Sequence, residues 1–169
     1  MAPLLAQETR ASRIIHVVVN DPMNRVVTGL SRQDFAVTED GAPIAITAFS
    51  DGNSPISLAI VSQSIPAAVM MLSRSGDEII QAQSVAGALQ ALAASKNSRK
   101  ALIFTSGTIV GGIPSEIQVL KSGPENLMKT VLEARNSYSI WFSSSHSVSA
   151  VEVNLRPPAG LPPLTVSAK

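Results

Sequence analysis

The sequence predicts an α/β protein, α+β overall, in which a small parallel-sheet unit is flanked by a β-rich part built from both chain ends. Three observations carry this. Two short apolar runs, Ile56 to Val61 and Ala101 to Thr105, are of the kind buried on both faces of a parallel sheet. A helical apolar repeat lies between them, as a crossover joining parallel strands requires. Outside this stretch, towards either end, β-branched and alternating segments dominate.

Taken in order, residues 1–13 are expected to form a tail. Pro3-Leu4-Leu5-Ala6-Gln7 reads either as the end of a cleaved leader or as a plain chain terminus. Residues 14–50 are expected to form a β-meander. Ile14 to Val19 is its first strand, Asn20 to Asn24 a turn, and Arg25-Val26-Val27 a short antiparallel return. Ser31-Arg32-Gln33-Asp34 has the form of one capped helical turn, with a carboxylate at its positive end. Phe35 to Glu39 and Ile44 to Phe49 alternate around Asp40-Gly41, a hairpin signal. Asp51-Gly52-Asn53-Ser54-Pro55 marks a boundary.

Residues 55–136 are expected to form the α/β unit. Pro66 to Leu72 suits a short helix with proline in its first turn. Ile79, Ile80, Ala82, Val85, Ala86, Leu89, Leu92 and Ala93 recur at helical spacing, which predicts one long helix over residues 77–95, capped by Ser75-Gly76-Asp77. Leu89 is expected to face the strand Ala101 to Thr105. A glycine-rich stretch follows, in which Glu116 to Leu120 suits a strand or a helical turn. Pro124 to Arg135 reads as an amphipathic helix with Leu127, Met128, Val131 and Leu132 on its apolar side. Residues 137–169 then offer three β-segments, Tyr138 to Phe142, Val148 to Leu155 and Leu164 to Ser167, expected to pack with the N-terminal strands. A lone hairpin is marginal in water, so each end needs the other.

Composition narrows the function. Of the 169 residues, 45% are hydrophobic and 15% charged, and mean hydropathy is +0.24, a globular balance. The low charge leaves the surface to Ser, Thr, Asn and Gln, which points to an exported, periplasmic or extracellular protein. The 13 Lys and Arg are scattered around a net charge of +1, which disfavours nucleic acid, whose binding requires many phosphates to be neutralised together. Cysteine is absent, which removes disulfides, thiolate metal sites and cysteine nucleophiles. No apolar stretch reaches the ~18 residues of a membrane span.

The run VVVNDPMNRVVTGLSRQDFAVTEDGAPIAITAF, residues 17–49, resembles the opening of the bacterial von Willebrand factor A-related proteins. Their pattern there is a strand, V-x-G-L-x-x-x-D-F, then E-D-G and a strand ending in Phe. Val27, Gly29, Leu30, Asp34, Phe35, Glu39, Asp40, Gly41 and Phe49 supply it. SRKALIFTSG, residues 98–107, is similar to the A-domain strand that ends in T-D-G, and Ile56 to Ser64 to the first A-domain strand. The resemblance implies a reduced von Willebrand factor A-like domain. It also implies a metal-ion-dependent adhesion site, built from D-x-S-x-S after the first strand with distant Thr and Asp. Such a site holds a hard divalent cation with carboxylate and hydroxyl oxygens. This chain departs from it: Ser62-Gln63-Ser64-Ile65-Pro66 lacks the Asp and the last Ser, and Ser106 replaces the Asp of T-D-G. The expectation is therefore a domain that binds no metal and no cofactor.

Glycine-rich loops after parallel strands are where α/β domains place binding surfaces, so Ser62, Gln63, Ser64, Ser106, Gly107 and Thr108 are the expected partner-facing loops. The leading expectation is a non-enzymatic protein-interaction or structural module. The alternatives are a small serine hydrolase using Ser106 or Ser64 with His146, and a metal-dependent adhesion domain with an altered site. His16, in an apolar strand, is expected in a structural role. Asp34, Glu39 and Asp40 suit caps and turns rather than calcium.

Overall fold

The structure, a computed structural model, describes residues 10–168 apart from Val110, Ser145, Ser147, Val148, Pro157 and Pro158. The expected leader-like segment at Pro3 to Gln7 and the start of the strand at Val148 lie outside the described residues. Three sheets carry the fold: β11-β1-β9-β4, β10-β2-β3 and the parallel β6-β5-β7-β8. The first two are antiparallel and pack face to face as a sandwich, and the third belongs to a three-layer α/β unit.

The sandwich draws on both ends of the chain. Strand β1 (Ala11–Asn20) lies between β9 (Tyr138–Ser144) and β11 (Thr165–Ala168). On the other side of β9 runs β4 (Ile46–Ser50). The facing sheet is β2 (Phe35–Glu39) between β3 (Ala42–Ile44) and β10 (Val151–Leu155). The expected meander over residues 14–50 is thus overturned. Its strands form, but only β2 and β3 pair with each other. At Ala45 the chain passes from one sheet to the other, and Arg25-Val26-Val27 is reduced to a single bridge, Asn20 to Val26. Strands from the C-terminal part take the positions that a meander would have used, β9 and β11 beside β1 and β10 beside β2.

The residues behind the family resemblance meet in this sandwich. Gly29 has φ +84°, a backbone that favours glycine. That turn brings Leu30 inward, where its N–H donates to the Tyr138 hydroxyl (3.2 Å), which in turn donates to the Val27 carbonyl (2.9 Å). Phe35, Phe49 and Tyr138 form a ring cluster with centroids 5.0–5.8 Å apart. Asp34 closes the single 3-10 turn at Arg32–Asp34 by accepting from the Ser31 N–H and hydroxyl. Asp40 and Gly41 have φ of +49° and +81°, as a tight two-residue hairpin requires. The motif is a scaffold around one tyrosine.

In the α/β unit, β5 (Ile56–Val61) is central, with β6 (Glu78–Ala82) on one side and β7 (Arg99–Phe104) then β8 (Ile117–Lys121) on the other, all parallel. Alternate residues serve opposite faces. Ile56, Leu58, Ile60, Ala101 and Ile103 pack under α1 (Ala67–Met70) and α3 (Leu127–Asn136). Ala59, Leu102 and Ile117 pack under α2 (Val85–Ala94).

The long helix expected over residues 77–95 is corrected. Its first part is β6, and only Val85–Ala94 is helical. Ile79 and Ile80 fit a helical stripe by spacing, but they are β-branched and pair beside β5. The true cap is Ser84, whose hydroxyl accepts from the Gly87 N–H at 3.1 Å. Glu116 to Leu120 resolves as strand β8, and no helix stands between β7 and β8 among the described residues. The face of α3 also differs from expectation. Leu127, Val131 and Ala134 are buried, whereas Met128 and Leu132 are exposed.

Leu89 is half-buried at the margin of the core, and Leu92, with 0% exposure, is the leucine that α2 buries. Leu92→Ala is therefore expected to cost ~2–5 kcal/mol, the range for truncating a packed leucine. Leu89→Ala should cost clearly less. Urea denaturation of both variants checks this, and the reverse ranking would show α2 seated on a different face.

Candidate functional site

The order β6-β5-β7-β8 makes the connections from β5 and β7 diverge, because β5 is followed outward to β6 while β7 leads to β8. Divergence opens a crevice at the carboxyl ends of two adjacent parallel strands, the usual place for a binding site in an open α/β sheet. Here it is a cleft of about 380 Å³ lined by Ser62, Gln63, Ser64, Pro66, Thr105, Ser106, Pro124 and Leu127.

Four of the expected residues, Ser62, Gln63, Ser64 and Ser106, thus share one cleft. Gly107 and Thr108 do not join them. They line a neighbouring cavity of about 510 Å³ with Phe104, Ile109, Ile113, Val119 and Lys121. Thr105, Pro124 and Leu127 were not foreseen. The last two arrive at the start of α3, and nothing short of the strand order indicates that this start lies over the β5–β7 crevice.

The cleft floor is fixed by bonds to backbone carbonyls. The Ser62 N–H donates to Ala82 O (3.2 Å), and the Gln81 amide donates to the carbonyls of Ser62 (3.3 Å) and Gln63 (2.8 Å). Two hydroxyls are turned to carbonyls: Ser62 Oγ donates to Ser64 O (2.8 Å) and Thr105 Oγ1 to Val61 O (3.2 Å). Ser64 and Ser106 are exposed. The lining has no charged side chain. Among the described residues, no three His, Asp or Glu side chains come together as a metal site would need.

His146 lies elsewhere. Its Nδ1 is 3.9 Å from Glu39 on β2, and its N–H donates to Ser144 Oγ at 3.1 Å. The hydroxyls of Ser144 and Ser149 donate to Glu39 and hold its carboxyl below the usual range. Asp40 accepts from the Ala150 N–H at 2.9 Å. Asp34, Glu39 and Asp40 therefore work as turn and strand-end anchors.

A buried ionic joint lies within the α/β unit, where α3 meets the turn ahead of β6. Arg135 and Asp77 pair at 2.9 Å with side chains 2% and 1% exposed. Asp77, expected as a helix cap, accepts instead from the N–H groups of Ile56 (3.0 Å) and Arg74 (2.8 Å). Arg99, 4% exposed, donates to the carbonyls of Ser54, Ala134, Arg135 and Ser137 at 2.7–3.3 Å. Burial lowers the pKa of Arg99 to about 10.

No protein-family model, curated protein or solved structure matches this chain. What stands is a class: a mixed α/β protein with a parallel sheet of four strands, two antiparallel sheets, and an uncharged cleft at the parallel strands' carboxyl ends. No helix of the described residues is long and apolar enough to cross a membrane.

Proposed function

We propose that this chain is an exported, non-enzymatic protein-interaction or structural module whose α/β unit is a reduced von Willebrand factor A-like domain working without metal. The observation that carries this reading is the meeting of two separate loops. Residues 62–64, 66 and 105–106, which fall at the positions the resemblance singles out for an adhesion site, line one cleft between adjacent parallel strands. Such a cleft is where a domain of this architecture presents side chains to a partner. Its lining offers hydroxyls, an amide and an apolar wall, a chemistry suited to hydrogen bonding and packing. Catalysis is not favoured: His146 is committed to the Glu39 cluster, and the cleft lining has no histidine to serve as a base.

Neutral oxygens leave the dehydration of a divalent ion uncompensated, and two of the cleft hydroxyls already bond carbonyls. Millimolar Mg²⁺ or Mn²⁺ should accordingly leave the melting temperature where EDTA leaves it. A rise of several degrees with either ion, as a native-state ligand produces, would return metal-dependent adhesion to first place. The binding role is tested with a photo-crosslinking residue at Ser64 or Ser106, against a control at Glu152 on the sandwich. In the native cell envelope the two cleft positions should yield a shared protein adduct that survives EDTA and is absent from the control. Adducts that do not distinguish cleft from control would refute the reading.

A further inference from the structure

The seam between sandwich and α/β unit holds a titratable group with no part in the cleft. His16, on β1, is 9% exposed, and its Nδ1 lies 3.0 Å from Ser139 Oγ on β9. Among the described residues its Nε2 has no hydrogen-bond partner, nor has the Nε2 of Gln118 on β8, a residue 2% exposed. Both side chains line one narrow cavity of about 10 Å³, where β1 and β9 of the sandwich meet the starting ends of β5, β7 and β8.

The charged groups facing this cavity are Arg99 and Lys100 from β7 and Glu116 ahead of β8. The contributions of β5 and β9, Ile56, Ser139 and Trp141, are neutral. Arg99 is a fixed, buried cation, held by four carbonyls. Glu116 is exposed, so water screens it.

We propose that His16 is an acid-operated catch: neutral, it closes the seam between the sandwich and the α/β unit, and protonated, it releases the two parts from each other. Protonation makes both ring nitrogens donors, and Nε2 has no hydrogen-bond partner among the described residues to accept from it, beside a buried guanidinium. A buried charge without a partner is far costlier than a neutral polar group. Opening the seam lets water reach the ring, and each part keeps its own core. The sandwich keeps the ring cluster around Tyr138, and the α/β unit keeps the layers on either side of its sheet.

The direction follows from the imidazole. Burial first, then Arg99, lowers its pKa from 6.5 to about 4. The folded state therefore binds the proton less readily than the open one. The closing contribution is complete above pH 6.5 and is lost as the pH falls towards 4. Two and a half units correspond to a change of about 300-fold in the opening equilibrium.

Tryptophan emission and hydrogen exchange on the full chain between pH 7 and 4, the latter corrected for intrinsic rates, read this together with the NMR titration of both histidine rings. The emission of Trp141, the protein's one tryptophan and part of the cavity lining, should shift to the red over the pH range in which the His16 ring titrates, while amides of Val17, Val37 and Val153 inside the sandwich stay protected. His146→Gln should leave the response unchanged, and His16→Gln should abolish it. If His16→Gln fails to fold, the unmodified protein still decides. A His16 ring titrating near 6.5 with the seam closed overturns the proposal. So does loss of amide protection inside the sandwich over the same pH range as the Trp141 shift.

Discussion

A chain ending at Ser137 is expected to lose the whole N-terminal β-structure. Strand β1 pairs with β9 from Ala11–Ser144 to Val17–Tyr138, and with β11 from Val17 to Asn20. Among the described residues, strand β4 pairs only with β9, and β2 keeps nothing but the three-residue β3 once β10 is gone. The same cut removes Tyr138, Ile140 and Phe142 from the sandwich core, each at most 1% exposed. Two isolated short strands cannot hold together in water, so protection of β1, β2 and β4 should vanish. Supplying residues 138–169 as a separate peptide should restore it. The truncated chain is compared with the full one by amide exchange, and residues 11–50 remaining protected without the peptide would refute this topology.

The largest effect of a single substitution is expected at Asp77. Asp77→Ala strands the Arg135 guanidinium at 2% side-chain exposure and leaves the N–H groups of Ile56 and Arg74 without their acceptor. Breaking one side of a buried ion pair typically costs ~3–5 kcal/mol, mostly as the penalty of an uncompensated charge. Adding Arg135→Met should return a large part of that loss, because the orphaned charge disappears with it. A double-mutant cycle by chemical denaturation measures both steps. If the second substitution restores nothing, the damage lies in the two unpaired amides, and the charge is not the cause.

Much of the fold is legible in local sequence, and the failures have a common origin. Asp40-Gly41 announces its hairpin because two consecutive positive φ angles admit few other residues. Ile56 to Val61 and Ala101 to Thr105 announce buried parallel strands because both faces are apolar. By contrast, Ile79 and Ile80 satisfy a helical spacing and a strand equally well. The vacant side of β5, a tertiary fact, decides the matter. Met128 and Leu132 mislead about α3 in the same way, since the buried face includes Thr130 and Ala134, which carry little apolar signal. For the candidate site, Ser62 to Ser64 and Ser106 are reachable through their positions after apolar strands. Thr105, Pro124 and Leu127 join them only through the order of the strands, which no local pattern encodes.

The pairing of β1 with β9 also sets the order in which the molecule can assemble. His16 and Ser139 are 123 residues apart in the chain. During synthesis β1, carrying Ile14 to Val19, emerges more than a hundred residues ahead of its partners β9 and β11. Residues 56–136 form their own sheet and helices from contacts closer in sequence, and so can fold while β1 waits. Closing the long loop afterwards must bring two distant segments together against chain entropy, the step that slows proteins rich in non-local pairings. Until then, an apolar strand with both edges open is exposed to other chains, which makes aggregation through β1 the characteristic failure of a slow or interrupted synthesis.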